Sequence, residues 1–205
     1  MNPLIFSDKD TELPRAVEDI LELGGVLIFP TDTLYGIGGN PWDEQAIARV
    51  QRMKQRPPGQ PFALLLPVIE AIERVAWLDE RTRAILDRFL PGPYTFLLSA
   101  SEEAPREVIT EGKVGVRLPD HPFFGSVMRS VDRPLFGTSV NRSGEPPLEN
   151  IDAMIEHFGN VDLIVIATTP PSGVSSAVID LTVDPPQALR GNLPDDLVPP
   201  QGKRS

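Results

Sequence analysis

The chain has 205 residues, 40% of them hydrophobic and 23% charged, which is the composition of a folded domain with a buried core and not of a disordered chain. Its formal net charge is −10, from 29 acids and 19 bases, which weighs against a protein that grips nucleic acid through a broadly basic surface. With no cysteine and only His121 and His157 as histidines, disulfides, thiolate metal sites and a cysteine nucleophile are excluded, and a multi-histidine zinc site has no basis.

Leu13, Ala16, Val17, Ile20 and Leu21 recur at three- and four-residue spacing, so Glu12 to Leu23 reads as a helix closed by Gly24-Gly25. Val26 to Phe29 is a short apolar run between glycine and Pro30, as in a buried strand. A helix is expected from Asp43 to Met53 with Ile47, Val50 and Met53 inward, stopped by Pro57-Pro58-Gly59. Phe62 to Leu66 follows as a strand, and Ile69 to Ala76 and Arg81 to Phe89 as helices before the breaker Pro91-Gly92-Pro93. Tyr94 to Leu98 and Val114 to Leu118 read as strands, Phe123 to Val131 as a helix, and Leu135 to Ser139 as extended. Asn150 or Asp152 caps a helix reaching Phe158, and Leu163 to Ala167 and Ala177 to Leu181 are strand-like.

Helices alternate with short apolar strands through connections of uneven length. The fold class that follows is α/β with α+β character: one open, twisted sheet of mixed parallel and antiparallel strands with flanking helices. Residues 1–192 form the expected domain. Five prolines fall between Asp184 and the C-terminus, and residues 193–205 are expected to be a flexible tail. No apolar run reaches the ~20 residues of a membrane span, and the first ten residues lack the pattern of a secretory signal, so the cytoplasm is the expected compartment.

Arg49, Arg52, Lys54 and Arg56 lie in a stretch, Gln45 to Ile69, that holds no acid. Arg49, Arg52 and Arg56 can share a helix face, and cations at a helix C-terminus are favourable without any ligand. Lys54 and Arg56 straddle the expected helix end before a rigid proline loop that can aim them outward together. A point charge beside a planar, bidentate guanidinium suits a phosphate chain. Thr31-Asp32-Thr33-Leu34-Tyr35-Gly36-Ile37-Gly38 follows a strand end, where hydroxyls and glycines can meet a small polar ligand or simply make a turn. Thr138-Ser139-Val140-Asn141-Arg142-Ser143-Gly144 is a second such loop, rich in donors. Arg117 sits in a strand-like run, where it either snorkels or faces a carboxylate, and Ser175-Ser176 opens another strand.

In this order, Phe29 to Gly36, Lys54-Gln55-Arg56-Pro57, Pro91-Gly92-Pro93-Tyr94-Thr95, Val116 to Pro119, Thr138 to Gly144 and Ser176 to Asp180 closely resemble the YrdC-like family, across residues 10 to 191. That family contains the threonylcarbamoyl-AMP synthases, and the resemblance is to a short form without a C-terminal extension domain. It implies a YrdC-like fold around a basic cavity and a nucleotidyl transfer. L-threonine, bicarbonate and ATP, the last with Mg²⁺, give L-threonylcarbamoyladenylate and pyrophosphate for N6-threonylcarbamoyladenosine modification of tRNA. By resemblance the ATP-binding residues are Lys54, Arg56, Ser139, Val140 through its backbone, Asn141, Ser143 and Arg190, with Lys54 and Arg56 catalytic. The threonine-binding residues are Thr33, Arg117, Thr138 and Ser176, and no resident metal site is implied. The implied partners are the tRNA-modification proteins that accept the product. Departures from the family pattern are Gln60-Pro61-Phe62 after the proline loop, Leu65 in place of a histidine, Val140 in place of alanine, Ala177 in place of threonine, and Gly191-Asn192 after Arg190. Two other readings stay open: a paralogue acting on another carbamoylated or acylated substrate, and a module in weak contact with double-stranded RNA, which the net charge disfavours.

Overall fold

The computed structural model describes residues 2–57 and 59–198. Its strands are β1 (Leu4–Ser7), β2 (Val26–Phe29), β3 (Gly36–Gly39), β4 (Ala63–Leu65), β5 (Tyr94–Ser99), β6 (Ile109–Thr110), β7 (Lys113–Arg117), β8 (Leu135–Ser139), β9 (Leu163–Ile166), β10 (Ala177–Asp180) and β11 (Gln187–Arg190). They form one open sheet in the order β1-β9-β2-β3-β8-β4-β7-β5-β10-β11, with β6 paired to β7. Pairs β1/β9, β2/β9, β4/β7 and β5/β10 are parallel and the others antiparallel, so the expected mixed sheet is present.

The helices are α1 (Leu13–Glu22), α2 (Glu44–Lys54), α3 (Ile72–Val75), α4 (Glu80–Phe89), α5 (Arg129–Val131) and α6 (Ile151–Phe158). A π-helical turn, Phe123–Met128, leads into α5, so the predicted helix over 123–131 is wound more loosely than expected. Asp43 caps α2 by accepting from the Gln45 and Ala46 N–H groups at 2.8 and 2.9 Å. At the other end Gln55 takes a left-handed φ of 51°, with Gln55 N–H bonded to Arg52 and Arg56 N–H to Gln51, a Schellman pair. This closure, and not the proline loop, ends the helix after Lys54.

Strand β2 explains the layering. Val26 and Ile28 enter one core with α2, α3, α4 and α6, while Leu27 and Phe29 enter a second with α1 and the Phe123–Val131 segment. A strand buried on both faces reads as a continuous apolar run. On β7, Val114 and Val116 join the first core, and Lys113, Gly115 and Arg117 point to the opposite side, where they line a cavity. Over β7, β5 and β10 the sheet is therefore covered on one face and lines the cavity with the other.

Strands β1, β3, β6 and β11 were not foreseen. β1 and β11 are edge strands, and β6 is a short antiparallel partner of β7. β3, read from sequence as a glycine loop, lies in mid-sheet between β2 and β8. Its glycines answer a distant constraint: a Cβ on Gly38 would lie 1.7 Å from the Phe136 carbonyl oxygen, and one on Gly36 2.6 Å from the Phe29 ring. Leu193, expected to open the tail, packs on the core. Asp195–Leu197 forms a 3₁₀ turn, and Asp196 pairs with Arg88. The rest of the expected tail, 199–205, lies outside the described residues. No helix among the described residues is long and apolar enough to cross a membrane.

Candidate functional site

The concave face encloses a cavity of about 390 Å³, within the range of small-molecule sites. Seven of the eleven ATP- and threonine-site residues implied by the resemblance line it. Thr33, Arg117 and Ser176 lie on its wall, with Thr138 and Ser139 from the end of β8, Arg56 from the loop after α2 and Arg190 from β11. The sheet register brings them together: Gly36 pairs with Ser139, Ala63 with Gly115, and Phe96 with Val116.

Lys54 differs from expectation. Ile47, Val50 and Lys54 share the buried face of α2, and Lys54 is 1% exposed. Its Nζ donates to the carbonyls of Ser139 and Asn141, the latter at 2.6 Å, and to Asn141 Oδ1 at 3.2 Å. Lys54 stands behind the cavity wall as a clamp under the 139–143 loop, and the picture of Lys54 and Arg56 aimed outward together is corrected. Burial, reinforced by repulsion from Arg56, lowers its pKa to about 7.

Arg56 keeps the outward role. It is held by the Pro61 carbonyl at 2.8 Å and Thr138 Oγ1 at 3.3 Å, and lies over the Phe62 ring at 4.9 Å, so the departure Gln60-Pro61-Phe62 serves as its cradle. Burial lowers its pKa. The basic face envisaged for Arg49, Arg52 and Arg56 is broken up, because Arg49 is drawn to Asp162 at 2.5 Å.

In the second loop Asn141 is a hub: its Oδ1 accepts from Ser139 Oγ at 2.6 Å, and its Nδ2 donates to the carbonyls of Arg142 and Glu145. Ser143 N–H bonds to the Lys54 carbonyl at 2.9 Å. Val140 is fully buried, its N–H donates to the Tyr35 carbonyl and its carbonyl accepts from Leu148 N–H. Both backbone groups of Val140 are thus engaged within the chain. Val140, Asn141 and Ser143, like Lys54, stand outside the cavity lining.

Arg117 is 8% exposed and paired with Asp32, its NH2 2.5 Å from Oδ1. Burial lowers its pKa and Asp32 opposes that shift. Arg190 donates from Nε to the Ser176 carbonyl at 2.9 Å and from NH2 to Ser176 Oγ at 3.0 Å. Ser176 Oγ also lies 3.0 Å from Thr95 Oγ1. Sequence reasoning missed Asp32 as a partner, Thr95, and the Lys113–Asp180 pair at 2.7 Å on the cavity floor. The alternation Lys113-Gly115-Arg117 is a signal that could have put Lys113 on the Arg117 face. Leu65, 4% exposed, is an apolar patch of the wall.

An open mixed sheet whose bare face carries arginines, a lysine and clustered hydroxyls defines an α/β domain built to take a small anionic ligand. A family model described as "Telomere recombination", for Sua5, YciO and YrdC proteins, matches residues 19–191. The threonylcarbamoyl-AMP synthase of Pyrococcus abyssi is 37% identical over 185 residues, 88% of this chain and 54% of that protein. Escherichia coli YciO, an uncharacterized protein, is 28% identical over 208 residues, 95% of this chain and 98% of its own length. The crystal structure of P. abyssi Sua5 complexed with L-threonine superposes with a TM-score of 0.83 at 31% identity, over 93% of this chain and 57% of that one. The chain thus belongs to the Sua5/YciO/YrdC family. It spans about half the length of the Pyrococcus relative and nearly all of YciO.

Proposed function

We propose that the chain is a nucleotidyltransferase that converts L-threonine, bicarbonate and ATP into L-threonylcarbamoyladenylate and pyrophosphate, for modification of tRNA by proteins that accept the product. The observation that carries this is the convergence of Arg56, Arg117 and Arg190 with the hydroxyls of Thr33, Thr95, Thr138 and Ser176 around one cavity. Relatives named threonylcarbamoyl-AMP synthase support it, as does the threonine-bound Sua5 neighbour.

In this reading Arg117 takes the threonine carboxylate, and Thr33 and Ser176 take its polar substituents. Arg56 and Arg190 face the nucleotide phosphates from either side of the cavity. Ser139, held from behind by Asn141 and Lys54, forms part of the wall against which the nucleotide lies. Threonine carbamate, formed from the neutral amine and bicarbonate with loss of water, attacks the α-phosphorus through a carboxylate oxygen, and pyrophosphate leaves. Fixed cations that meet charge developing on the phosphates lower the barrier, and phosphoryl-type transfer needs little else besides positioning.

No group of three or more His, Asp or Glu residues lies together among the described residues. Of the two carboxylates lining the cavity, Asp180 is already engaged by Lys113 and Thr182, and Glu111 is the other. In this reading Mg²⁺ enters with ATP, as part of the substrate. The test is pyrophosphate release from Mg·ATP with bicarbonate and, in separate reactions, L-threonine, L-serine or no amino acid. Release that depends on threonine and bicarbonate is expected. Release unaffected by threonine, or greater with serine than with threonine, refutes the assignment.

A further inference from the structure

Thr95 and Ser176 both line the cavity, and their hydroxyls belong to one short chain. Thr95 Oγ1 and Ser176 Oγ lie 3.0 Å apart, and Arg190 NH2 donates to Ser176 Oγ at 3.0 Å. The two hydroxyls carry two hydrogens between them. One is used in the bond that joins them, and among the described residues no other acceptor lies within hydrogen-bond distance of either oxygen. One hydroxyl hydrogen is therefore left for a ligand.

The sheet register sets this chain between two arginines. Phe96 pairs with Val116, so Thr95 stands opposite Arg117; Thr95 pairs in turn with Val178, and Val178 with Arg190. Arg117 and Arg190 thus end one rung across β7, β5, β10 and β11, with Thr95 inside it. Arg190 is fixed by Nε to the Ser176 carbonyl at 2.9 Å. Burial first, and then the Arg190 charge, lowers the pKa of Arg117, while Asp32 opposes both. Asp32 offsets the Arg117 charge, but Arg190 forms no ion pair among the described residues. An uncompensated guanidinium beside a spare hydroxyl donor suits a small oxyanion.

The reaction proposed above brings one such anion besides the phosphates and the threonine carboxylate. We infer that Thr95 and Ser176, with Arg190, form the bicarbonate site, which makes Thr95 a further substrate-binding residue. The inference rests on the synthase reading and deepens it. The neutral threonine amine attacks the bicarbonate carbon: the C–N bond forms, the C–OH bond breaks, and hydroxide leaves with an amine proton as water. Bicarbonate and the carbamate each carry an O–C–O edge and one negative charge, so the same donors hold both. The two carboxyl carbons of the carbamate are three bonds apart, a span that neighbouring strands about 5 Å apart can serve, one from Arg117 and the other from Thr95. Arg190, which also faces the phosphates, keeps the attacking oxygen beside the α-phosphorus.

The test is steady-state pyrophosphate release in buffer stripped of dissolved CO₂, with bicarbonate, L-threonine and Mg·ATP varied in turn. Thr95→Val keeps the branched shape and removes the hydroxyl. It is expected to raise KM for bicarbonate about 10-fold or more, the worth of a hydrogen bond to a charged group, and to change KM for threonine and ATP less than about 3-fold. A second arm needs no variant: nitrate, a planar monoanion that cannot react, should inhibit the wild-type chain competitively against bicarbonate and not against threonine or ATP. An unchanged KM for bicarbonate in Thr95→Val, or an equal rise for threonine or ATP, overturns the site, while threonine-dependent release keeps the synthase reading standing. Nitrate competing with threonine or ATP instead of bicarbonate overturns it even where the variant does not fold. Absence of threonine-dependent release from the wild-type chain refutes the parent reading and this one together.

Discussion

Replacing Lys54 by methionine, which keeps the stem and removes the charge, should change how stability depends on pH. In the unfolded chain the Lys54 ammonium titrates near its ordinary 10.5, whereas in the fold burial, and then Arg56, hold it at about 7. Between those values the unfolded state binds a proton that the folded state does not, so the stability of the wild-type chain rises with pH across the window and falls away as pH drops toward 7. Each pH unit contributes about 1.4 kcal/mol, for a total of about 5 kcal/mol over the full window. The variant lacks this contribution, and all other titrating groups cancel in the comparison. Urea unfolding of both chains at pH 7, 8 and 9 should therefore show the gap in unfolding free energy widening in favour of wild type by about 2–3 kcal/mol. Parallel pH profiles would refute the buried, depressed ammonium. At pH 7 itself the Lys54→Met substitution also leaves the carbonyls of Ser139 and Asn141 without their donor, so the 139–143 loop should exchange its amide hydrogens faster in the variant.

Gly38→Ala sets a Cβ against the Phe136 carbonyl inside the sheet and should prevent folding or cost more than about 3 kcal/mol, read by circular dichroism and denaturant midpoint. Gly125→Ala, with nothing within 4 Å of its Cβ and a helical setting, should stabilise by about 0.5–1 kcal/mol in the same assay. Arg56→Ala removes an exposed-side cation held on Phe62 and Pro61, and its KM for ATP in the pyrophosphate assay should rise about 10-fold or more while the KM for threonine moves little. A rise confined to threonine would move Arg56 to the other substrate.

Much of the fold could be read along the chain because its signals are local. Val26–Phe29 announced a strand buried on both faces, Asp43 a helix start, and Gly24 a helix end. β3 was missed because its glycines answer Phe29 and Phe136, one beyond a turn and the other far along the chain, and carry no propensity of their own. The cavity residues were found as loops and strand ends, but their division of labour was not. The proline loop after it suggests an outward Lys54, but its spacing from Ile47 and Val50 places it on the apolar face of α2, where a charge must find acceptors. The Arg117–Asp32 contact joins residues 85 apart in sequence and left no local trace. Asp32 looked like ordinary turn chemistry until the sheet brought β7 beside it.

The pairing of β3 with β8 has a consequence for what substitution can alter. Gly36 lies opposite Ser139, and the Tyr35 carbonyl takes the Val140 N–H as one more rung, so the 30–35 and 140–145 loops leave the same end of a ladder built from main chain. Their separation at the root is one strand spacing, about 5 Å, set by main-chain hydrogen bonds. The ladder acts as a ruler. Mutation of the walls can retune the cavity, but the span between the roots of the two loops is a backbone length.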